Sequence, residues 1–211
     1  GAPQSGKSYY LTVLIKLLQT TLFRDFGVVF RDADPSGNAP INEMKAHLFS
    51  AQNPAQAFLT KTQLEGSMYE RLPRYDRMVT LPKPFIYSLS GAESDDENCS
   101  IVFYDNAGEH FQPGQDSTSS PGAQHIASSD AIFFLFDPTI NPDFRRSISD
   151  SEDPQFKSQV SDQQDIILAE TEVRIKKLLG LDRREKVQTP LAIIIGKCDS
   201  WIDKIGSENL K

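Results

Sequence analysis

The chain opens with GAPQSGKS, residues Gly1 to Ser8, and this stretch decides how the rest of the sequence is interpreted. It fits the pattern G-x-x-x-x-G-K-[ST] without a mismatch, and each fixed position has a chemical reason. Glycine at Gly1 and Gly6 permits backbone angles and close approaches that let successive N–H groups curve round a phosphate chain. Lys7 would place an ammonium on the β- and γ-phosphates, and the hydroxyl of Ser8 is an oxygen ligand for Mg²⁺. The stretch therefore predicts a phosphate-binding loop.

An amphipathic helix is predicted directly after this loop. Apolar residues recur at helical spacing on one face, at Leu11, Leu14, Ile15, Leu18 and Leu22. The N-terminus of a helix carries a partial positive charge, which would add to the anion site. The other interpretation is an ordinary Gly/Ser loop that caps a helix. A phosphate-binding loop normally follows a buried strand, so we expect these residues to be a fragment that lacks its first strand.

The composition is that of a globular domain, and it argues against some partners. With 211 residues, a formal net charge of −7 and a pI near 5.0, the chain can form one sizeable α/β domain, and its acidic balance argues against binding nucleic acid. The longest apolar runs, at 131–136 and 191–195, are too short to cross a bilayer, so a membrane partner is not indicated. Cys99 and Cys198 lie in apolar runs that we interpret as core strands, which predicts buried free thiols and a cytoplasmic protein.

Strand-like and helix-like patterns alternate along the chain. Strands are predicted at 26–30, 84–90, 99–105, 131–136 and 191–195, and helices at 41–49, 55–59 and 160–180 besides the first. Such alternation predicts a three-layer α/β fold with a mainly parallel central sheet and helices on both faces. Ligands of such sheets bind at the carboxyl ends of the strands. We expect a single domain over 1–211, with insertions at about 31–84 and 138–164.

A second motif, Asp-Asn-Ala-Gly at 105–108, falls at the end of the predicted strand 99–105. In a chain with a phosphate-binding loop, Asp105 at a strand end is placed to hold Mg²⁺ through a water molecule. The backbone N–H of Gly108 can bond to a γ-phosphate because no side chain blocks the approach. The segment 109–129, most of it rich in Ser, Gly, Pro and Gln, would then act as a switch that the third phosphate orders.

A third motif, Gly-Lys-Cys-Asp at 196–199, directly follows the last predicted strand. The carboxylate of Asp199 could accept two hydrogen bonds, from N1–H and the exocyclic amine of guanine, which adenine cannot match. The alkyl stem of Lys197 can lie against the base. The other interpretation is an ordinary turn after a strand, since Gly and Asp are common in turns.

The three motifs, in this order, resemble those of P-loop GTPases of the Ras-like, translation-factor-related class. ASSDAIFFLFDP at 127–138 is also similar to the fourth strand of that class, and the resemblance spans nearly the whole chain. VFYDNAGEHF at 102–111 and the long insertions look most like the bacterial double-GTPase type, in which two such domains share one polypeptide. The resemblance implies the three-layer P-loop NTPase fold of a G domain, whose last base-binding loop would lie beyond Lys211.

The resemblance also implies a role for each matching residue. The nucleotide, GTP or GDP, would be contacted by Gly1, Gln4, Ser5, Gly6, Lys7, Ser8, Tyr9, Gly108, Lys197 and Asp199. Mg²⁺ would be held by Ser8, Asp105 and Thr62. Thr80 is the alternative to Thr62 as the first-switch threonine. Catalysis would use Lys7, Glu109 and His110.

Two departures from the family bear on function. Gly196 replaces an Asn or Thr that would tie the base loop to the phosphate loop, and Glu109 replaces a water-orienting glutamine. We expect a Mg²⁺-dependent GTPase switch that hydrolyses GTP slowly unless a partner supplies an arginine. Its partner would be a protein effector or a second GTPase domain that contacts the switch and the insertions. The alternatives are a nucleotide-binding scaffold that does not hydrolyse, or a P-loop ATPase or kinase.

Overall fold

The computed structural model describes residues 1–2, 5–51, 68–74, 77–91, 99–106, 111, 124–148, 156 and 164–205. The chain forms two compact units. The amino unit comprises Lys7–Ala107, and the carboxyl unit comprises Gly108–Lys211 together with Gly1–Gly6. The chain therefore changes unit twice, once inside the phosphate-binding loop and once inside the second motif. The single domain expected over 1–211 stays a prediction.

The described strands of the amino unit form two separate antiparallel sheets. Its described elements are α1 (Lys7–Phe26), β1 (Val28–Asp32), α2 (Ala39–Ser50), β2 (Tyr69–Arg74), β3 (Arg77–Pro82), β4 (Pro84–Gly91) and β5 (Cys99–Tyr104). β4 is the middle strand of a three-stranded sheet and pairs antiparallel with both β1 and β5. β2 and β3 form an antiparallel hairpin of their own.

The carboxyl unit contains a pair of parallel strands. Its described elements are α3 (Gln124–Ala127), β6 (Ile132–Phe136), α4 (Pro142–Ser147), α5 (Gln164–Leu179), β7 (Leu191–Ile195) and α6 (Ile202–Ile205), with short 3₁₀ turns at Pro138–Ile140 and Cys198–Ser200. β6 and β7 pair in register, with Phe136 opposite Ile195 at their carboxyl ends. Asp137 and Gly196 therefore leave the two strands at the same edge.

The predicted three-layer fold with a mainly parallel central sheet is wrong. Among the described residues, the only parallel pairing joins β6 to β7, and the other strand pairs are antiparallel. The lengths of the connections give the physical reason. A parallel pair of strands needs a crossover connection of about a dozen residues or more. β4 and β5 are separated only by residues 92–98, and a connection of this length suits an antiparallel hairpin. β6 and β7 are joined through α5, as a parallel pair requires.

The predicted apolar face of the first helix is confirmed in α1. Leu11 and Ile15 are buried in one cluster with Phe30 of β1 and Tyr87 of β4. The rings of Phe30 and Tyr87 stack with their centroids 4.6 Å apart. Burial of these apolar and aromatic surfaces stabilises the contact between α1 and the three-stranded sheet. The same sheet carries Asp105 at the end of β5.

A second core lies between α5 and the parallel strands. Ile167 and Ile175 of α5 are buried in one cluster with Phe134 of β6 and Phe111. The predicted sheet has helices on both faces, but Phe133, in the run 131–136, is half-exposed. Only part of this strand pair is therefore covered by the described residues.

The predicted helix at 41–49 is confirmed as α2, and the helix at 160–180 is confirmed as α5. The helix expected at 55–59 lies outside the described residues. None of the described helices is both long enough and apolar enough to cross a bilayer.

Both cysteines are free thiols, as predicted, but their predicted burial is wrong. Cys99 is exposed and Cys198 is half-buried. Cys99 is the first residue of β5, which lies at one edge of the described three-stranded sheet.

Candidate functional site

The backbone of the first loop requires glycine at two positions. A Cβ atom on Gly1 would overlap the carbonyl oxygen of Leu135 in β6. Gly6 has a φ of +87°, a left-handed conformation that side chains disfavour. Between them, the N–H of Ser5 donates to the carbonyl of Ala2 at 3.3 Å. The loop therefore lies against β6 within the carboxyl unit, and its role in binding phosphate stays a prediction.

The side chain of Ser5 offers an unused hydrogen bond in this loop. Ser5 is 1% exposed, and its hydroxyl has no hydrogen-bond partner among the described residues. A buried polar group that is left unpaired costs about 1–3 kcal/mol. A phosphate oxygen could accept this hydrogen bond, so Ser5 fits the predicted anion site.

The first turn of α1 carries the next predicted contacts. Because α1 begins at Lys7, the backbone N–H groups of its first four residues have no acceptor within the helix. Lys7 and Ser8 are half-buried, whereas Tyr9 is exposed. A contact from Tyr9 to a phosphate would therefore use its backbone N–H. The N-terminal end of a 20-residue helix also favours negative charge.

The structure brings together two of the predicted Mg²⁺ ligands. The hydroxyl of Ser8 donates a hydrogen bond to Oδ2 of Asp105, although the two residues are 97 positions apart. Asp105 directly follows β5 and is buried. Burial raises the pKa of its carboxyl, while the hydrogen bond from Ser8 and the charge of Lys7 act to lower it. The effect of burial is the larger one, so the pKa of Asp105 is raised and ionisation of this carboxyl in the folded protein is unfavourable.

These two groups fit a magnesium ion that is bound together with phosphate. Mg²⁺ prefers hard oxygen ligands and usually takes one or two from the protein, completing its shell with water and phosphate oxygens. Ser8 and Asp105 supply two such oxygens. Within the described ranges, no group of three or more His, Cys, Asp or Glu side chains could hold a metal ion. Ser8 and Asp105 therefore fit an ion that a bound nucleotide would help to hold.

Asp105→Asn should leave the fold at least as stable as the wild type at neutral pH. Because burial raises the pKa of Asp105, the ionised carboxylate opposes folding. An amide of the same shape removes that cost and still accepts the hydrogen bond from Ser8. The pKa of Asp105 is higher in the folded protein than in the unfolded chain. The wild type therefore loses stability relative to the variant as the pH rises from the ordinary carboxyl pKa through the raised pKa. Urea unfolding of both proteins between about pH 4 and pH 8 measures the difference.

Glu43→Gln, at an exposed position of α2, is the matched control for a neutralised carboxylate and should be as stable as the wild type at neutral pH. If Asp105→Asn is less stable than the wild type across the whole range, burial does not dominate at this carboxyl. Asp105→Asn should bind nucleotide with little benefit from Mg²⁺, because a neutral amide holds this ion, or a water bound to it, more weakly than a carboxylate does.

The third motif lies beside the first loop. The N–H of Gly196 donates to the carbonyl of Phe136 at 2.8 Å, which extends the pairing of β6 and β7. A Cβ on Gly196 would lie 3.6 Å from the carbonyl oxygen of Ser5, an ordinary van der Waals distance. The indole N–H of the buried Trp201 donates to the Gly196 carbonyl at 3.3 Å. Two motifs that are 191 positions apart (196 minus 5) therefore meet within the carboxyl unit.

Lys197 is held by an ion pair that the sequence did not lead us to expect. Its backbone is left-handed, with a φ of +54°, and its Nζ lies 2.6 Å from Oδ2 of Asp137. Asp137 is fully buried, and its Oδ1 accepts hydrogen bonds from the N–H and the hydroxyl of Thr139. The side-chain amide of Gln164 pairs with the Asp137 backbone. Because the Lys197 ammonium is bound to Asp137, its alkyl stem is the surface left to contact a base.

Asp199, the predicted guanine ligand, is exposed in the 3₁₀ turn Cys198–Ser200. The hydroxyl of Ser200 donates to the Lys197 carbonyl at 2.8 Å, and this bond closes the turn. The motif is therefore a turn that also presents a carboxylate to solvent. This geometry is consistent with both interpretations of the sequence.

A signal for Asp137 is present in the sequence. An acidic residue directly follows the apolar run 131–136, just as Asp105 ends the strand predicted at 99–105. A carboxylate at a buried strand end needs a cation or several donors to offset its lost hydration. The identity of that cation has no sequence signal, because Lys197 is 60 positions away (197 minus 137).

Several predicted site residues lie outside the described residues. They are Gln4, Thr62, Gly108, Glu109 and His110, and their roles stay predictions. Thr80, the alternative first-switch threonine, lies in β3 opposite Arg71 of the β2–β3 hairpin.

Comparisons of the chain with models of protein families, with curated proteins and with solved structures gave no match. The resemblance to P-loop GTPases therefore rests on the three motifs and the sequence of 127–138.

Proposed function

We propose that this chain binds a guanine nucleotide together with Mg²⁺ and hydrolyses GTP slowly. The observation that carries the proposal is the hydrogen bond between Ser8 and Asp105, two residues that different motifs independently predict as Mg²⁺ ligands. The bond lies at the N-terminus of α1, where Lys7 adds a positive charge. A buried carboxylate, a lysine and a helix N-terminus form a setting suited to a cation and a polyphosphate that bind together.

Each group has one task in the proposed reaction. Lys7 binds the β- and γ-phosphate oxygens, and Ser8 and Asp105 hold the metal. Mg²⁺, when bound, neutralises charge that develops on the phosphates. Glu109 or His110, by position in the sequence, would orient or deprotonate the attacking water.

Recognition of guanine is assigned to the turn after β7. Asp137 neutralises the ammonium of Lys197, so the stem of Lys197 offers an apolar surface to the base. Asp199, two residues on, is exposed and supplies a carboxylate that can accept both guanine donors. Gly196 also packs beside Ser5 of the first motif, within the carboxyl unit.

The decisive experiment is a calorimetric titration of GTP, GDP, ATP and xanthosine triphosphate with Mg²⁺, on the wild type and Asp199→Asn. The wild type should prefer guanine nucleotides. The variant should bind GTP about 10- to 100-fold more weakly, because each hydrogen bond to a charged group is worth about 1.5–3 kcal/mol. It should gain affinity for the xanthine nucleotide, whose base presents an acceptor where guanine presents an amine.

Asp203→Asn, at an exposed position of α6, is the control for a lost surface charge and should bind like the wild type. Equal or tighter binding of ATP by the wild type would mean that residues 196–199 form only a turn. The proposal of a GTPase would then give way to a nucleotide-binding protein with adenine preference.

A scaffold that binds nucleotide without hydrolysing it is the second candidate. Glu109 favours it, because a carboxylate beside a triphosphate is repelled by the phosphate charge. Under this alternative, bound GTP stays intact over hours with Mg²⁺, whereas steady release of phosphate excludes it. For either candidate we propose a cytoplasmic protein whose partner is an effector or a second GTPase domain.

A further inference from the structure

The end of α5 and the loop that follows it form a strongly basic segment in an acidic chain. Residues 176–186 contain five Lys or Arg and two Asp or Glu, which gives a net charge of +3 (5 minus 2). Because the whole chain carries −7, the remaining residues carry −10 (−7 minus 3). Such an asymmetry between a short segment and the rest of a chain indicates a surface for an acidic partner.

Hydrogen bonds fold this segment back onto the end of the helix. Gly180 directly follows α5 and has a φ of +68°, the left-handed conformation that commonly ends a helix. The N–H of Leu181 donates to the carbonyl of Lys176 at 2.9 Å. The Nζ of Lys176 donates to the carbonyl of Arg183 at 3.1 Å. The basic residues on either side of Gly180 are therefore held together at one end of α5.

Most of the positive charge in this segment is exposed and is not neutralised by the protein. The exposed cations are Lys177, Arg183, Arg184 and Lys186. Among the described residues, no ion pair joins any of these four to a carboxylate. Lys176 differs from them, because it is half-buried and its Nζ lies 2.7 Å from Oε1 of Glu172. Four charges are thus available to a partner.

Two exposed leucines lie beside these cations. Leu178 and Leu179, the last two residues of α5, are 39% and 47% exposed. Ile175, less than one helical turn earlier, is only 3% exposed and belongs to the core cluster. The end of the helix therefore presents apolar and positively charged side chains together. We define the basic surface as Lys177, Leu178, Leu179, Arg183, Arg184 and Lys186.

The chemistry of the basic surface fits an anionic lipid bilayer. Anionic headgroups attract Lys and Arg, and the boundary between headgroups and acyl chains takes up exposed aliphatic side chains. A nucleic acid would bind the cations through its phosphates, but its backbone offers nothing apolar to the two leucines. Protein interfaces are enriched in aromatic residues and depleted of lysine, whereas the basic surface has two lysines and no aromatic ring. Lipid is the partner that uses both parts of the surface.

We propose that the basic surface binds the headgroups of an anionic membrane, with Leu178 and Leu179 placed against the bilayer interface. The contact requires no membrane-spanning segment. The lengths of the apolar runs, from which no membrane partner was indicated, bear only on spanning segments. Negative charge elsewhere on the chain opposes the attraction little where it lies beyond a Debye length, about 10 Å at about 0.1 M salt.

The basic surface and the third motif adjoin opposite ends of β7. The segment 180–190 enters β7 at Leu191, and Gly196 leaves the strand after Ile195. Five residues of strand span about 16 Å. A bilayer at the amino end of β7 therefore does not require contact with the turn 196–199, and the inference does not depend on the proposed function.

Sedimentation of the full chain with vesicles tests the inference. The probes are vesicles of phosphatidylcholine alone and vesicles that also contain about 30% phosphatidylglycerol, both at about 0.1 M salt. The wild type should bind the anionic vesicles and not the neutral ones, and about 0.5 M salt should release it, because salt screens the attraction. Failure to bind the anionic vesicles would overturn the proposal. Binding to polyglutamate or to duplex DNA in the same buffer would then identify an acidic protein or a nucleic acid as the partner.

Two variants remove the two parts of the basic surface separately. The triple variant Arg183→Gln, Arg184→Gln and Lys186→Gln should bind the anionic vesicles about 100-fold more weakly, because each cation near such a bilayer strengthens binding about fivefold. Leu179→Gln keeps every charge and should weaken binding at least about fivefold through lost apolar contact. Unchanged binding by the folded triple variant would overturn the proposal.

Each test variant has a control at exposed positions outside the basic surface. The charge control combines Lys16→Gln, Arg24→Gln and Lys204→Gln, and the leucine control is Leu17→Gln. Both should bind the anionic vesicles within about threefold of the wild type. Equal losses in the charge control and in the triple variant would mean that net charge alone governs binding, and would refute the assignment to this surface. Urea unfolding checks that every variant folds.

Calorimetric titration with GDP separates this inference from the proposed function. All of these variants should bind GDP as the wild type does, because none of them changes a residue that is predicted to contact nucleotide. If the wild type binds no nucleotide, the proposed function fails, and the vesicle measurements still decide the inference. If the triple variant does not fold, the wild type on the two kinds of vesicle and Leu179→Gln decide it.

Discussion

Lys7→Ala should abolish measurable nucleotide binding while the protein remains folded. Lys7 is the first residue of α1 and is half-buried, and its charge acts on the buried carboxyl of Asp105. Alanine removes the cation that would bind the β- and γ-phosphates. Hydrogen bonds to charged groups are worth about 1.5–3 kcal/mol each, so loss of two such bonds lowers affinity by at least about 100-fold. Calorimetric titration with GDP and Mg²⁺ measures the loss.

Lys16→Ala provides the control on the same helix. Lys16 is exposed, and its Nζ lies 6.0 Å from the ring centroid of Phe49. The control removes one lysine from α1 without changing its N-terminal turn, so affinity should match the wild type. Urea unfolding checks that both variants fold. Wild-type affinity in a folded Lys7→Ala protein would remove the first motif from the nucleotide site and the proposed function with it.

Lys197→Met should strongly destabilise the carboxyl unit. It removes the partner of Asp137, whose carboxylate is fully buried. Breaking a buried ion pair from one side typically costs about 3–5 kcal/mol. The Lys197 side chain is 16% exposed, so water can replace part of the pair, and we expect about 3 kcal/mol. Urea unfolding, followed by the fluorescence of Trp201, measures this change.

The double variant Asp137→Asn with Lys197→Met should recover most of the lost stability. The amide that replaces the Asp137 carboxylate would carry no charge and would still offer an oxygen to Thr139, whose N–H and hydroxyl donate to the carboxylate in the wild type. Because Trp201 donates to the Gly196 carbonyl, its fluorescence also reports on the turn itself. Lys204→Met, at an exposed position of α6, controls for a lost surface charge. If Lys197→Met changes stability by less than about 0.5 kcal/mol, the ion pair does not hold this turn.

The sequence alone determined the local elements of this protein. The spacing of Leu11 and Ile15 predicted the buried face of α1, because a helix repeats every 3.6 residues wherever it packs. The two glycines of the first loop were predicted from stereochemistry, and the overlap at Gly1 and the positive φ of Gly6 agree. The helical spacing and the backbone angle of Gly6 depend on neighbouring residues only, so a single sequence is sufficient to find them. The overlap at Gly1 is with Leu135, so that contact belongs to the tertiary structure.

The pairing of the strands was decided by the tertiary structure. Alternating strand and helix patterns led to a parallel sheet, but β4 pairs antiparallel with β1 and with β5. A strand has the same period of two in either direction, so apolar patterning does not distinguish parallel from antiparallel neighbours. The short connection of residues 92–98 was the local sign that β4 and β5 form an antiparallel hairpin.

The contacts between charged and polar residues were also decided by the tertiary structure. The sequence singled out Asp105 and Lys197, but it did not pair Lys197 with Asp137 or place Arg174 on the ring of Phe111. Such pairs form between residues that are far apart in sequence, and their energy depends on burial, which excludes water and strengthens the attraction. Burial is a property of the packed chain, so local sequence indicated which residues carry chemistry and packing decided which partners hold them.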